Sequence, residues 1–228
     1  MKTRLSGQWE LKQTGDGSHT LYNEVLNEHY HSHHGALQES LHVFIRAGLD
    51  KIAEPGNILR ILEIGFGTGL NCLLTLKESL DKNLAVEYTS LEPFPLTPEV
   101  ATTLNYTQLP EFTSLTDVFL QMHAQPDNTQ QLSPAFTLVR KLETLDHFIP
   151  SGNYSLIYFD AFAPQVQPEL WTEAVFQKMY ACLVPGGILV TYCAKGEVKR
   201  NMKKAGFINE RLPGPPGKRE MTRAIKET

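Results

Sequence analysis

The stretch Glu63-Ile-Gly65-Phe-Gly67-Thr-Gly69-Leu-Asn71 decides the fold. It follows an apolar run over 58–64 and opens a segment, 70–80, whose apolar residues recur at helical spacing, so it is the turn between a strand and a helix. Glycines at such a turn let the backbone bend sharply and approach a ligand closely, which implies a nucleotide-like ligand. A dinucleotide fingerprint needs glycine at position 70, which is leucine here, and no Gly-Lys-Ser/Thr follows to make a phosphate-binding P-loop. Three glycines at alternate positions, with an acid two residues before the first, is the spacing that adenosylmethionine sites use. The following strand, 85–91, ends at Glu92, 27 residues after Gly65. A carboxylate there can accept both hydroxyl protons of an adenosyl ribose. Two readings of Glu63 stay open: it orients the methionine end of the cofactor, or it caps the loop.

Outward from this loop, strands and helices alternate. Residues 1–30 alternate weakly (Trp9, Leu11, Thr20, Tyr22) around the turn-forming Thr14-Gly-Asp-Gly-Ser18, which predicts a small hairpin or extended arm. Leu37, Leu41, Phe44, Ile45 and Leu49 place a helix within 35–53. Further strands are predicted at 136–140, 154–159, 188–192 and 219–225, and helices at 98–104, 168–181 and 198–205. The Asn/Gln-rich stretch 124–132 reads as an exposed loop, and a Pro/Gly-rich crossing leads into the last strand. Continuous apolar strands separated by helices imply an α/β fold, a Rossmann-like, mostly parallel sheet with helices on both faces. A length of 228 residues suits one compact domain, with 1–55 as an arm and helix packed on a core at 56–228.

In such folds chemistry gathers beyond the carboxyl ends of the strands. There the run Leu156-Ile-Tyr-Phe159 ends in Asp160-Ala-Phe162-Ala-Pro164, and Pro168-Glu-Leu-Trp171 opens a helix. An acid at a strand end beside an aromatic and a proline resembles the Asp/Asn-Pro-Pro-aromatic loops of amino methyltransferases, whose polar group receives a hydrogen bond from the amine. Asp160 is the expected catalytic residue. Methyl transfer to an amine depends on aligning nucleophile and donor more than on strong base catalysis. A nearby carboxylate favours the unreactive ammonium, so Asp160 has to orient the amine while a proton leaves to water or through Asp160 itself. The plain alternative is a helix-capping Asp.

No run of about 18 apolar residues is present, and the start MKTRLSGQWELKQTGDG lacks a secretory apolar core, so a cytoplasmic protein is expected. Cys72, Cys182 and Cys193 are scattered and read as reduced core thiols. The net charge of −4 is uneven: residues 195–228 hold ten Lys/Arg against four Asp/Glu, leaving +6 there and −10 before it. A basic patch on an acidic body suits a polyanionic partner, or else is simply a solvated surface.

With both motifs in hand, the sequence resembles the methyltransferase domain of the tRNA 5-methylaminomethyl-2-thiouridine biosynthesis bifunctional family. The resemblance runs through Ser32-His-His-Gly35-Ala-Leu-Gln-Glu39-Ser-Leu-His-Val-Phe44, the loop Gly65–Asn71, and Glu92-Pro-Phe-Pro-Leu96. It continues through Tyr158-Phe-Asp-Ala-Phe-Ala-Pro164, Thr191-Tyr-Cys-Ala-Lys-Gly196 and Pro213-Gly-Pro-Pro-Gly-Lys-Arg-Glu-Met221. It implies a class I methyltransferase with S-adenosylmethionine as donor, methylating the aminomethyl group of a wobble uridine in tRNA. The family's glycine loop maps onto Gly65, Gly67 and Gly69, and its acidic loop onto Asp160. Glu143, in Arg140-Lys-Leu-Glu143, stands where an Asp near the adenine is more usual. The family's flavin-dependent oxidase domain has no room in 228 residues, so the expectation is a stand-alone relative that receives its aminomethyl substrate from other enzymes.

The expected cofactor set is Glu63, Gly65, Gly67, Gly69, Asn71, Glu92 and Glu143, and Ser32 and Glu39 touch cofactor or substrate by resemblance. Phe162 and Pro164 are expected at the acceptor, and Lys195, Lys199, Arg200, Lys218 and Arg219 at RNA phosphates, since Lys and Arg position RNA without reading it. Phe162, Tyr192 and Trp171 are candidates to stack on a splayed uridine, with core packing equally open for Trp171. His29, His31, His33 and His34 cluster, but no Cys or carboxylate joins them at ligand spacing; a flexible segment at the site mouth is expected rather than a metal. Methylation of a small-molecule amine and a non-catalytic RNA-binding module are the competing functions. The basic tail argues against the first, and the intact loop with Glu92 and Asp160 against the second.

Overall fold

A computed structural model describes residues 9–54, 56–124 and 127–227. Residues 1–8 of the expected N-terminal arm and residues 125–126 of the Asn/Gln-rich stretch lie outside the described residues. The chain opens with a three-stranded antiparallel sheet, β1 (Trp9–Gln13), β2 (His19–Asn23) and β3 (Glu28–His29). The turn between β1 and β2 also caps the next helix: Thr14 Oγ1, Ser18 Oγ and Asp16 Oδ2 accept the N–H groups of Ala36, Leu37 and Gln38. Three of the four orphan donors of a helix start are thereby satisfied, which pins the small sheet to the helix. That helix, α1, runs over residues 36–52 and is π-helical from Leu41 to Leu49. Gly48 brings it so near the main sheet that a Cβ there would stand 3.0 Å from Val190 Cγ2.

Among the described residues the main sheet has eight strands in the order β10-β11-β9-β8-β4-β5-β7-β6, with the ranges that follow. Its parallel centre is β9 (Leu183–Thr191), β8 (Tyr154–Phe159), β4 (Ile58–Ile64), β5 (Ala85–Leu91) and β7 (Phe136–Lys141). Antiparallel strands β6 (Thr129–Ser133), β11 (Glu220–Ile225) and β10 (Ile208–Pro213) complete it. Alternate residues divide between two apolar clusters, one per face. Ile61, Leu156, Tyr158 and Val190 belong to one; Leu62, Ile157, Phe159 and Leu189 to the other. The first face lies under α1, α2 (Leu70–Lys82), α3 (Pro98–Ala101) and α4 (Thr116–Ala124). The second lies under α5 (Glu173–Cys182), capped by Thr172 Oγ1, and α6 (Gly196–Lys204). Each buried side chain such as Phe176 contributes about 1.5–3 kcal/mol, so both helix layers hold firmly.

Three expectations are corrected. Thr129–Ser133 is a strand rather than loop, and Ile208–Pro213 is a strand rather than a crossing. Both are polar edge strands, buried at most on alternate residues, so they lack the apolar run that marks a central strand. The helix expected over 168–181 is instead a 3₁₀ turn, Pro168–Trp171, followed by α5. The helix Thr116–Ala124, for which no expectation was set, escapes notice because it buries only Phe119, Met122 and His123.

Candidate active site

The glycine loop sits where β4 ends, stitched to both neighbours: Gly65 N–H donates to Leu91 O and Asp160 N–H to Ile64 O, each at 3.0 Å. Gly65 has φ +90°, and a Cβ on it would lie 2.8 Å from the Asp160 carbonyl oxygen, so only glycine fits. Gly67 (φ +51°) faces the Tyr30 ring in the same way, 3.0 Å from where a Cβ would be. The Gly67 N–H donates to Glu92 Oε2 at 3.0 Å, and Glu92 Oε1 accepts from Phe94 N–H at 2.9 Å. Burial pushes the Glu92 carboxyl upward, against these N–H groups and the Arg140 charge, which favour the carboxylate.

Asp160 follows β8 and meets the loop through Asn71, the second residue of α2. The Asn71 side-chain amide donates both to Asp160 Oδ2 (2.8 Å) and to Glu63 Oε1 (3.1 Å). One amide group thus ties the two acids together. Burial pushes Asp160 up to about 7, with Glu39 adding to the rise and the Asn71 hydrogen bond and Lys218 opposing it. Glu63 is fully buried and, by burial first and Asp160 second, is held well above the usual carboxylate range. It does not border the cavity, lying behind Asn71.

These groups open on a cavity of about 1200 Å³. Its far wall comes from the N-terminal segment. Tyr30 packs edge-on against Phe162 at 5.1 Å and against Trp9 at 5.4 Å. Glu39, 6% exposed, accepts from Ser32 N–H (2.8 Å) and from Lys218 Nζ (2.5 Å). Lys218 also lies 3.9 Å above the Tyr192 ring, whose hydroxyl donates to Ala161 O. A left-handed glycine cradle, a carboxylate at the end of the adjoining strand and a buried, unpartnered Asn71 Oδ1 beside the cavity fit an adenosyl ligand with an amino-acid tail.

Of the residues expected from the sequence, Gly65, Gly67, Asn71, Glu92, Glu143, Asp160, Phe162, Pro164, Lys195, Lys218 and Arg219 line this cavity. Glu63 and Gly69 stand behind it, and Lys199 and Arg200 lie on α6 away from its lining. Lys199 pairs with Glu220 at 3.6 Å, and Glu143 with Lys141 at 3.3 Å. Trp171 is core: 3% exposed, it packs on Phe159, and its ring N–H donates to Phe162 O. His29, His31, His33 and His34 all border the cavity: His31 is buried between Thr20 and Thr68, its pKa pushed down to about 4 by burial, and the His33 and His34 rings meet at 4.0 Å, tilted by 38°. Tyr30 and Arg140 carry no sequence signal, because only the tertiary packing brings them to the loop.

Comparison with known proteins agrees with this geometry. Residues 111–227, just over half of the chain, match the S-adenosyl-L-methionine-dependent methyltransferase family. The tRNA 5-methylaminomethyl-2-thiouridine biosynthesis bifunctional protein MnmC of Leptospira borgpetersenii serovar Hardjo-bovis is 31% identical over 222 residues, which are 89% of this chain and 33% of that protein. The protein of the same name from Cupriavidus metallidurans is 31% identical over 233 residues, 96% of this chain and 34% of its own length. The chain therefore spans about a third of the length of these curated relatives. The solved structure of MNMC2 from Aquifex aeolicus superposes with a TM-score of 0.76 at 26% identity, covering 96% of this chain and 70% of that one. Cradle, carboxylate and match together show that the chain belongs to the S-adenosyl-L-methionine-dependent methyltransferase family.

Proposed function

We propose that this chain transfers a methyl group from S-adenosylmethionine to the amine of 5-aminomethyl-(2-thio)uridine at the wobble position of tRNA, giving the 5-methylaminomethyl nucleoside. The observation that carries the reading is Asp160, set at the cavity wall and held to the cofactor loop through Asn71. The printed names of the relatives, which concern 5-methylaminomethyl-2-thiouridine in tRNA, support the choice of acceptor.

When bound, the cofactor would supply an electrophilic methyl group to an in-line amine, the carbon–sulfur bond breaking as the carbon–nitrogen bond forms and S-adenosylhomocysteine leaving as the thioether. Gly65, Gly67 and Gly69 shape the loop that receives it, Glu92 takes the ribose hydroxyls, and Glu143 faces the adenine end. Glu63 acts through Asn71, whose amide it fixes. Asp160 accepts a hydrogen bond from the acceptor amine and takes its proton at Oδ1 or Oδ2. A carboxyl at its ordinary pKa would hold the amine as ammonium; one raised to about 7 is matched to work near neutrality. Phe162 and Pro164 flank the base, with Tyr192 opposite. Lys195, Lys218 and Arg219, at the cavity rim, take backbone phosphates, and Lys199 and Arg200 extend the basic surface along α6. The aminomethyl group is in place on the uridine before this step. No helix among the described residues is long and apolar enough to cross a membrane, and a cytoplasmic setting fits tRNA as partner.

The test is incubation of the protein with methyl-labelled S-adenosylmethionine and tRNA that bears or lacks the aminomethyl group. Label confined to the aminomethylated tRNA is expected. Label in neither tRNA would sink the reading, and label in a free small amine would replace it.

A further inference from the structure

Beneath the glycine loop a row of polar side chains crosses the sheet. Arg140 faces Ser90 across β7 and β5, and Ser90 faces Glu63 across β5 and β4, so all three point toward α2. Arg140 is 1% exposed. Among the described residues its Nη1 alone finds an acceptor, the Met122 carbonyl, while Nε and Nη2 have no hydrogen-bond partner there. None of the arginine ion pairs among the described residues includes it. A buried guanidinium without a contact counter-ion is strongly unfavourable, so other groups must offset it.

Two groups do so, one on the glycine loop and one just after the adjoining strand β5. The Phe66 ring lies under the guanidinium, 4.4 Å from Cζ to centroid. Burial pulls the arginine toward its neutral form, and Glu92, first among its charged neighbours, opposes that pull. Glu92 is held to the same strand: its N–H donates to Lys141 O, next to Arg140. Phe66 stands between Gly65 and Gly67, and the Gly67 N–H points at Glu92. The guanidinium thus touches the Phe66 ring, and the next loop amide, Gly67 N–H, meets the Glu92 carboxylate whose charge Arg140 feels, with ring, amide and carboxylate all at the cavity wall.

We propose that Arg140 is a positioning residue of the cofactor site: it clamps the Phe66 ring that aims the Gly67 N–H, and it is the fixed counter-charge that keeps Glu92 a carboxylate for the ribose hydroxyls. The proposal rests on the assignment of Glu92 to the ribose. Other titratable groups around these residues are Tyr30 after β3, Glu63 at the end of β4, Cys72 on α2, His123 on α4, Glu143 after β7 and Asp160 after β8. Burial and then Arg140 push His123 down to about 3, so it stays neutral near neutral pH. Burial raises Tyr30, Glu63 and Cys72 well above their ordinary values. Asp160 titrates near 7 and must be silenced.

The experiment measures S-adenosylhomocysteine affinity by calorimetry from about pH 6 to about pH 8.5, in an Asp160→Asn background. Adding Arg140→Gln should weaken binding about tenfold at the acid end, and toward the alkaline end, as Glu92 regains its charge, the loss should shrink to the few-fold cost of the missing ring contact. Arg140→Lys, which keeps the charge but not the flat ring contact, should bind a few-fold more weakly at every pH. Adding Glu92→Gln should weaken binding and abolish the pH-dependent part of the Arg140→Gln effect. Equal loss at all pH for Arg140→Gln, or none, would overturn the proposal while leaving Glu92 in place. Unchanged binding by Glu92→Gln would overturn the ribose assignment and the proposal with it. If Arg140→Gln fails to fold, Arg140→Lys decides: a pH-independent few-fold loss supports the clamp, and unchanged affinity refutes it.

Discussion

Replacing Asp160 by Asn should make the protein more stable and nearly inactive. The carboxyl titrates at about 7 instead of 3.8, chiefly because burial disfavours its charge. A tenfold change in an equilibrium is worth about 1.4 kcal/mol, so ionising Asp160 in the folded protein costs on the order of 4 kcal/mol more than in the unfolded chain. Water reaching the cavity wall screens part of this, and about 2 kcal/mol is a fair discounted value. The sign follows from proton binding. Between about pH 4 and about pH 7 the folded state holds a proton that the unfolded state has lost, so stability contributed by this site falls as pH rises and the full penalty stands above 7. Asn at 160 keeps an oxygen for the Asn71 amide and carries no charge. Thermal unfolding should therefore show a melting temperature about 4–8 °C above the parent at pH near 8, converging with it near pH 4. Turnover should drop while cofactor binding persists. A variant less stable at high pH, or an offset independent of pH, would refute the buried-charge argument; full activity would remove Asp160 from the reaction.

Gly65→Ala should abolish cofactor binding and cost more stability than Gly56→Ala. Both have φ near +90°, worth about 1–2 kcal/mol each, but Gly56 has nothing within 4 Å of its missing Cβ, whereas Gly65 would strike the Asp160 backbone; equal melting temperatures would contradict the loop geometry. Glu39→Ala should destabilise the fold by about 1–3 kcal/mol in denaturant unfolding, since it unpairs both Lys218 and the Ser32 N–H, and an unchanged midpoint would show the Glu39–Lys218 contact to be idle. Joint Lys195→Ala and Arg219→Ala substitution should weaken tRNA binding and flatten the slope of log affinity against log salt by about one for each phosphate no longer neutralised. Weaker binding with the slope unchanged would place these side chains off the phosphates.

What could be read in advance was local. The loop Gly65–Asn71, Glu92 and Asp160 declare themselves because each sits at a strand end, where spacing along the chain is also spacing in the fold. The edge strands and the helix Thr116–Ala124 escaped because little of each is buried. Glu63 was ambiguous because its role depends on Asn71, at the start of the next helix, meeting Asp160 from across the sheet. Tyr30, the Glu39–Lys218 pair and Arg140 reach the site only through contacts remote in sequence, such as the 179 residues separating Glu39 from Lys218. Charge alone could not tell Lys195 and Arg219, at the rim, from Lys199 and Arg200, which lie off it.

Whether the methyl group ends on a wobble-position amine can be read by mass spectrometry of the nucleosides from aminomethylated tRNA after reaction with the protein and S-adenosylmethionine. The aminomethyl nucleoside should disappear as its N-methyl product appears in equal amount, with Asp160→Asn blocking the change. An unaltered aminomethyl nucleoside, or a methyl group on any other nucleotide, would contradict the proposed reaction.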